Sequence, residues 1–305
     1  MNTTEFISGS DSEYLHTVRA EALFNGIAHG YRSVNDNYGP NSKEPLPYHH
    51  LRHTDFVTQT SATILNLVRS ADASLVDIDD IVFVAQAAAF HDVHQEYTIS
   101  GSDIERIRVA VSMNSESISC DRMCEYMLGN PLFCAEDIAI ARPIVLATVI
   151  YFDPKTRSVT QPHVISGMQE VDINRRNSLM VPALAMADLG YPGIMAPDDF
   201  LTIGNGLFSE RYVGIVEYIH NAFPFDEARE SYIRQSILRW AESQAGFAQS
   251  SKDSFESQLL LFPEIAQGAV RSTFPNFDAA HRAAVDRFEH FKTLSTQQLI
   301  EAMGL

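Results

Sequence analysis

The stretch 86-QAAAFHDVHQEY-97 decides how the chain is read. Three alanines and a phenylalanine run without a break into His91 and Asp92, and a further imidazole follows at His94. Burying a charge is costly unless it is paired or bound to a metal. An apolar segment that ends on an imidazole and a carboxylate side by side therefore marks both as candidate ligands of a cation. Alone the dipeptide carries little weight, because the same two residues also end ordinary helices. Its meaning depends on what else in the chain can reach it.

Two segments can. In 48-YHHLRHTDFV-57, His49 and His53 are four residues apart and share one face of a helix. Both imidazoles can approach one ion, or one can bind it while the other faces a substrate; a plain polar helix start is the alternative. In 183-ALAMADLGYPG-193, Asp188 ends an apolar stretch just before a Gly-Tyr-Pro-Gly break. A carboxylate at a helix C-terminus meets the negative end of the helix dipole. It is either a simple helix end or a group that needs positive charge beside it. Together His53, His91, Asp92 and Asp188 suit a hard or borderline divalent ion such as Zn, Mn, Fe or Mg. Four protein ligands in a six-coordinate site leave room for water, whose pKa falls from about 16 toward about 7 on such an ion.

Composition narrows the partners. The chain has 305 residues, 45% of them hydrophobic, enough for one large domain or two small ones. Its net charge of −17, from 22 basic and 39 acidic residues, excludes a nucleic-acid duplex or an anionic membrane as the main partner, since both need a basic face. An anionic substrate would need local positive charge, such as a metal. The three cysteines (Cys120, Cys124, Cys134) have no zinc-finger or redox spacing. The start of the chain has no basic patch followed by an apolar core, and no apolar run approaches the ~18 residues of a membrane span. A cytoplasmic setting is the expectation.

Periodicity predicts helices near 11–32, 51–70, 78–93, 101–128, 135–151, 164–188, 208–221, 226–248, 252–270 and 277–303. Loops are expected at 34–46, 152–162, 190–199 and 249–254, where Gly, Pro, Ser, Asn and Asp gather. Alternating strands with hairpin turns are missing from this reading. The expected fold is all-α. Residues 1–46 form an N-terminal helix and loop, 47–250 the domain that carries the motifs, and 251–305 C-terminal helices packed on it.

The order His…His-Asp…Asp resembles the HD superfamily of metal-dependent phosphohydrolases, and more closely the catalytic domain of class I 3′,5′-cyclic-nucleotide phosphodiesterases. The stretch 48-YHHLRH-53 follows that family's Tyr-His-Asn-x-x-His motif, with His50 in place of Asn. The stretch 87-AAAFHDVHQ-95 keeps the first three residues of His-Asp-Val-Asp-His and departs after them, so that Gln95 stands where the family has its later His. The segment 114-NSES-117 resembles the Asn-x-x-Glu stretch, 187-ADLGYP-192 the Ala-Asp-Leu ligand motif, and 243-SQAGF-247 the Ser-Gln-x-Gly-Phe purine clamp.

The resemblance implies an HD-domain, phosphodiesterase-like helical bundle with two divalent metal ions that share Asp92. His53, His91 and Asp188 would hold the first ion. His49 would protonate the departing O3′, and Glu116 would orient His49 or the water shell. Gln244 would hydrogen-bond the purine and Phe247 stack on it. Tyr48 packs beside the pocket, and Tyr191 stands where adenine-specific members carry an Asn. The implied substrate is a small cyclic nucleotide. The alternatives are an HD-type phosphohydrolase of nucleoside mono- or triphosphates, a di-iron oxygenase of the same superfamily, for which extra histidines are scarce, and a catalytically silent HD signalling domain. The C-terminal helices either cover the pocket or form the face of a homodimer; both stay open.

Overall fold

The computed structural model describes residues 9–111, 113–153, 158–174, 176–221 and 226–305. The fold is predominantly helical, as periodicity predicts. Helices α1 (Gly9–Tyr38), α2 (Leu51–Ala71), α3 (Ile78–Phe90), α4 (Asn114–Leu128), α5 (Ala135–Leu146), α6 (Val164–Ile173) and α7 (Met180–Leu189) form the first half. They are followed by α8 (Tyr191–Ile194), α9 (Pro197–Arg211), α10 (Val213–Asn221), α11 (Glu227–Leu259), α12 (Glu264–Ser272), α13 (Phe277–Thr293) and α14 (Thr296–Met303).

Two helices organise the core. α3 and α7 are apolar nearly all round, as helices at the centre of a fold must be. Phe83, Val84, Ala87, Ala88, Ala89 and Phe90 of α3 are buried, and so are Met180, Val181, Ala183, Leu184, Ala185, Met186 and Ala187 of α7. α3 packs on α1, α2 and α7. The small residues of α3 let its neighbours come close. On α1, a Cβ at Gly30 would lie 2.5 Å from the Ala89 carbonyl oxygen, and one at Gly26 would lie 2.6 Å from the Gln86 side chain. The largest apolar cluster joins α1–α7 to Phe255, Phe262, Phe274 and Phe277 from the C-terminal part of the chain. A second cluster is built from Ile215, Ile233, Ile237, Phe291 and Leu299.

The departures from the sequence reading have local causes. The expected helix at 101–128 starts at Asn114. Before it, strands β1 (Tyr97–Ser100) and β2 (Ile107–Ala110) pair antiparallel, with Thr98 opposite Val109. Gly101 turns the chain at φ +85, where a Cβ would meet the Glu105 carbonyl at 2.5 Å. A second short hairpin pairs β3 (Tyr151–Asp153) with β4 (Ser158–Thr160), and residues 154–157 of the expected 152–162 loop lie outside the described residues. The helix expected at 164–188 breaks into α6 and α7. There Asn177 accepts from the Leu179 N–H and donates to the Leu75 carbonyl and to Asp80.

The expected 249–254 loop is instead the interior of α11, and the 250/251 boundary falls inside that helix. The segment QSSKDS holds no Gly or Pro to stop a helix, and Ser250 and Ser251 are buried. The expected 277–303 helix ends at Leu294. Ser295 then starts α14 with a reciprocal capping box to Gln298.

Candidate metal centre and acid site

The ends of the two central helices meet the start of a third. His91 is the C-terminal cap of α3, with Asp92 just after it. Asp188 lies in the last turn of α7, and His53 in the first turn of α2. His50, the departure from the family's Asn, caps α2 by accepting the Arg52 N–H at 3.0 Å. Helix C-termini carry partial negative charge. Two of them converge here with two carboxylates, so the place favours a cation.

The four side chains come together. His53 Nε2 lies 3.1 Å from Asp92 Oδ2 and 3.3 Å from Asp188 Oδ1. His91 Nε2 lies 3.1 Å from Asp92 Oδ2 and 3.6 Å from Asp188 Oδ1. The two Nε2 atoms face each other at 3.3 Å. His53, His91 and Asp92 are buried, and their ligand atoms all lie within 4.8 Å of one another.

The donor set fits a metal better than it fits protons. A carbonyl can only accept, so the 2.6 Å contact of His91 Nδ1 with the Ala88 oxygen fixes the ring proton on Nδ1. With a metal bound the ring would be neutral and offer its Nε2 lone pair inward, its Nδ1–H given to a carbonyl as is common for metal-binding imidazoles; with none, burial lowers the His91 pKa but Asp92 and Asp188 outweigh it and raise it well above its ordinary value. Asp92 Oδ2, at the centre of the group, is buried without a hydrogen-bond partner. Around a single ion with ligand distances of about 2.0–2.2 Å, ligand atoms sit about 3.0–3.4 Å apart, close to the separations found. The buried His53–His91–Asp92 group could hold a metal ion. Burial alone would raise the Asp92 pKa, but His91 and His53 beside it hold it well below the usual carboxylate range; Asp188 is lowered in the same way.

Beside this group stands an acid the sequence did not reveal in full. His49 Nδ1 bonds Glu210 Oε1 at 2.5 Å, and Glu210 Oε2 accepts the backbone N–H groups of Tyr48 and His49 at 3.2 and 3.1 Å. Tyr97 donates to Glu210 Oε1 at 2.6 Å. Burial lowers the His49 pKa, but the Glu210 charge and hydrogen bond outweigh it and push it up to about 9. Burial raises Glu210, and His49 brings it down to about 2. The pair is therefore charged at neutral pH. With Nδ1–H given to Glu210, the His49 Nε2–H is the proton free to move.

The partner of His49 is thus Glu210; of the two roles the sequence reading offered Glu116, orienting His49 or the water shell, the first falls to Glu210. Glu210 is almost completely buried near the end of α9, 157 residues beyond His53 in the chain, and no motif around it announces the role. Glu116 lies in the first turn of α4 with a buried, unpartnered Oε2. Burial raises its pKa, and the charges of Asp92 and Asp188 add to the rise.

The other sequence candidates are placed as follows. Tyr48 lies edge-on to His49 at 4.6 Å and tilted on His53 at 4.8 Å. Tyr191, at the start of α8, is buried and stacks on His53 at 5.5 Å and on Phe56 at 4.0 Å. These rings hold the His53 imidazole in place. Gln244 and Phe247 sit on α11 and meet α9. Gln244 packs over Gly204, and Phe247 stacks on Phe200 at 6.4 Å. Gly204 and Glu210 are about 9 Å apart along α9 at 1.5 Å per residue.

No protein-family model, curated protein or solved structure matches the chain.

Proposed function

We propose that the chain is an HD-type, metal-dependent phosphohydrolase that opens the phosphodiester of a small 3′,5′-cyclic nucleotide to a 5′-nucleotide. One observation carries the reading: an imidazole–carboxylate cluster stands next to a second imidazole that a buried carboxylate keeps protonated. The first part suits a cation, and the second suits a leaving group that needs a proton.

His53, His91, Asp92 and Asp188 would hold the cation. A bound divalent ion would neutralise phosphate charge and lower the pKa of water toward neutrality. The chain's own residues do the rest. Glu210 keeps His49 charged; as the oxygen of a deprotonated water bonds to phosphorus and the P–O3′ bond breaks, His49 Nε2–H is delivered to O3′. Tyr48 and Tyr191 fix the ring of His53, and through Tyr48 the orientation of His49. The unpartnered Glu116 carboxyl is a ready acceptor for water in the cleft. Gln244 supplies amide donor and acceptor to a base edge, and Phe247 an aromatic face. Of the two ions the resemblance implies, this donor set accounts for one.

The test is a turnover screen of the purified protein against cyclic mononucleotides, cyclic dinucleotides, and nucleoside mono- and triphosphates, with Mn, Mg and Zn supplied separately. Release of a 5′-nucleotide from a cyclic mononucleotide, slowed about 10²–10⁴-fold by His49→Ala with metal content unchanged, supports the reading. Turnover of mono- or triphosphates alone would shift it to the other HD-type chemistry. Metal uptake without turnover of any of them would leave a silent signalling domain.

A further inference from the structure

We propose that the centre holds a single divalent ion and that Gln95 closes the position a second would take. The inference rests on the metal-centre reading above and concerns residues that the motif comparison marks only as departures.

Two ions that share Asp92 in the common bridging mode each take one of its oxygens. Asp92 Oδ2 faces the two imidazoles and lacks a hydrogen-bond partner. Asp92 Oδ1 is engaged: it accepts Gln95 Nε2–H at 2.7 Å. The amide presents its N–H, the positive end of its dipole, on the side of Asp92 away from the imidazoles. A second cation on Oδ1 would have to stand beside that N–H.

Gln95 cannot easily give way. Its backbone N–H donates to the Tyr38 hydroxyl at 2.6 Å, and its side-chain oxygen lies 3.2 Å from the Tyr97 hydroxyl. Turning the amide over would set its oxygen against the Asp92 carboxylate, a contact between two acceptors. The resemblance leaves a second ion mainly to Asp92 and water, so giving the outer Asp92 oxygen to Gln95 removes its chief protein ligand. His53, His91 and Asp92 are the group of three or more such donors among the described residues. His94, the nearest further imidazole in the sequence, is tied through its backbone N–H to Ser119 and lines a surface cleft of about 860 Å³ with His29 and Tyr126.

Gln95 has a second consequence. The Tyr97 hydroxyl beside its side-chain oxygen gives its single proton to Glu210, the partner of His49. Gln95 thus packs between the metal ligand Asp92 and the acid pair, as a positioning residue.

The experiment is Mn(II) titration of the metal-free full chain, read by elemental analysis after desalting and by electron paramagnetic resonance at saturation. One manganese per chain with the hyperfine pattern of an isolated ion supports the proposal. Two per chain with an exchange-coupled pattern overturn it and leave the metal-centre reading standing. No uptake at any concentration overturns the metal-centre reading, and this inference with it. In the variant Gln95→His, gain of a second manganese supports Gln95 as the closing residue. A stoichiometry still at one in a folded variant removes that role.

Discussion

Glu210→Gln separates the charge of the acid pair from its shape. The amide keeps the size of the side chain and an oxygen for the Tyr48 and His49 N–H groups, while the negative charge beside His49 is lost. In the native protein His49 titrates at about 9, so at pH 7.5 it is almost wholly protonated. Without the counter-charge it falls back toward its ordinary value of about 6.5, since burial lowers it and only the charges of Asp92 and Asp188 still oppose that. At pH 7.5 about one tenth of the molecules would carry the proton, so kcat/KM for a cyclic nucleotide falls about tenfold from protonation alone. At pH 5.5 most of the loss is recovered. The assay is kcat/KM from pH 5 to 10 for both proteins, with the His49 pKa followed by NMR in the metal-free form. The descending alkaline limb should move from near 9 toward 6.5. An unchanged limb, or a loss of equal size at every pH, would refute the assignment of His49 as acid and Glu210 as its charge partner. The same pair bears on stability. His49 is raised, so its contribution is complete below about 6.5 and fades as pH rises through about 9; Glu210 is lowered, so its share is complete above about 4.5 and fades as pH falls through about 2.

Three further outcomes are expected. Asp137 is fully buried between Arg19 and Arg176, so Asp137→Ala takes the carboxylate from Arg176 and leaves Arg19 with Asp79 alone, at a cost of about 3 kcal/mol in urea unfolding; a change under 1 kcal/mol would show that the network contributes little. Gly30→Ala forces a methyl against the Ala89 backbone two residues before His91, and about 1–3 kcal/mol of stability should be lost, seen as a lowered Tm, with metal affinity reduced as well. Gln244→Ala should raise KM for a cyclic nucleotide while kcat changes little; unchanged kinetics would remove the base-clamp role.

The parts of the site legible in the sequence are those that chemistry restricts most. An apolar helix ending on His91–Asp92, the four-residue spacing of His49 and His53, and Asp188 at the end of another apolar run all follow from the cost of burying charge. Those residues meet in space because α3 and α7, apolar nearly all round, have to be central. Glu210 was not legible. One glutamate in a mixed helix looks like any other until the fold buries it against His49. Gln95 was visible only as a departure, since its role depends on Tyr38 holding its backbone N–H and on its side-chain amide reaching Asp92. The helix expected at 101–128 runs over β2 and leaves β1 unassigned, because strands of four residues each are too short for alternation to register. The turn at 99-ISGSD-103 was the available clue. The Ser-x-x-Gln box at Ser295 was equally readable and marks the start of α14.

The central claim is that side chains from three helices converge on one cation. An anomalous difference map, from crystals grown with Zn or Mn and recorded above the metal's absorption edge, tests it most directly. The account predicts a peak bonded to His53 Nε2, His91 Nε2, Asp92 Oδ2 and Asp188 Oδ1. An ion bound elsewhere, or these four groups left bare at saturating metal, would contradict it.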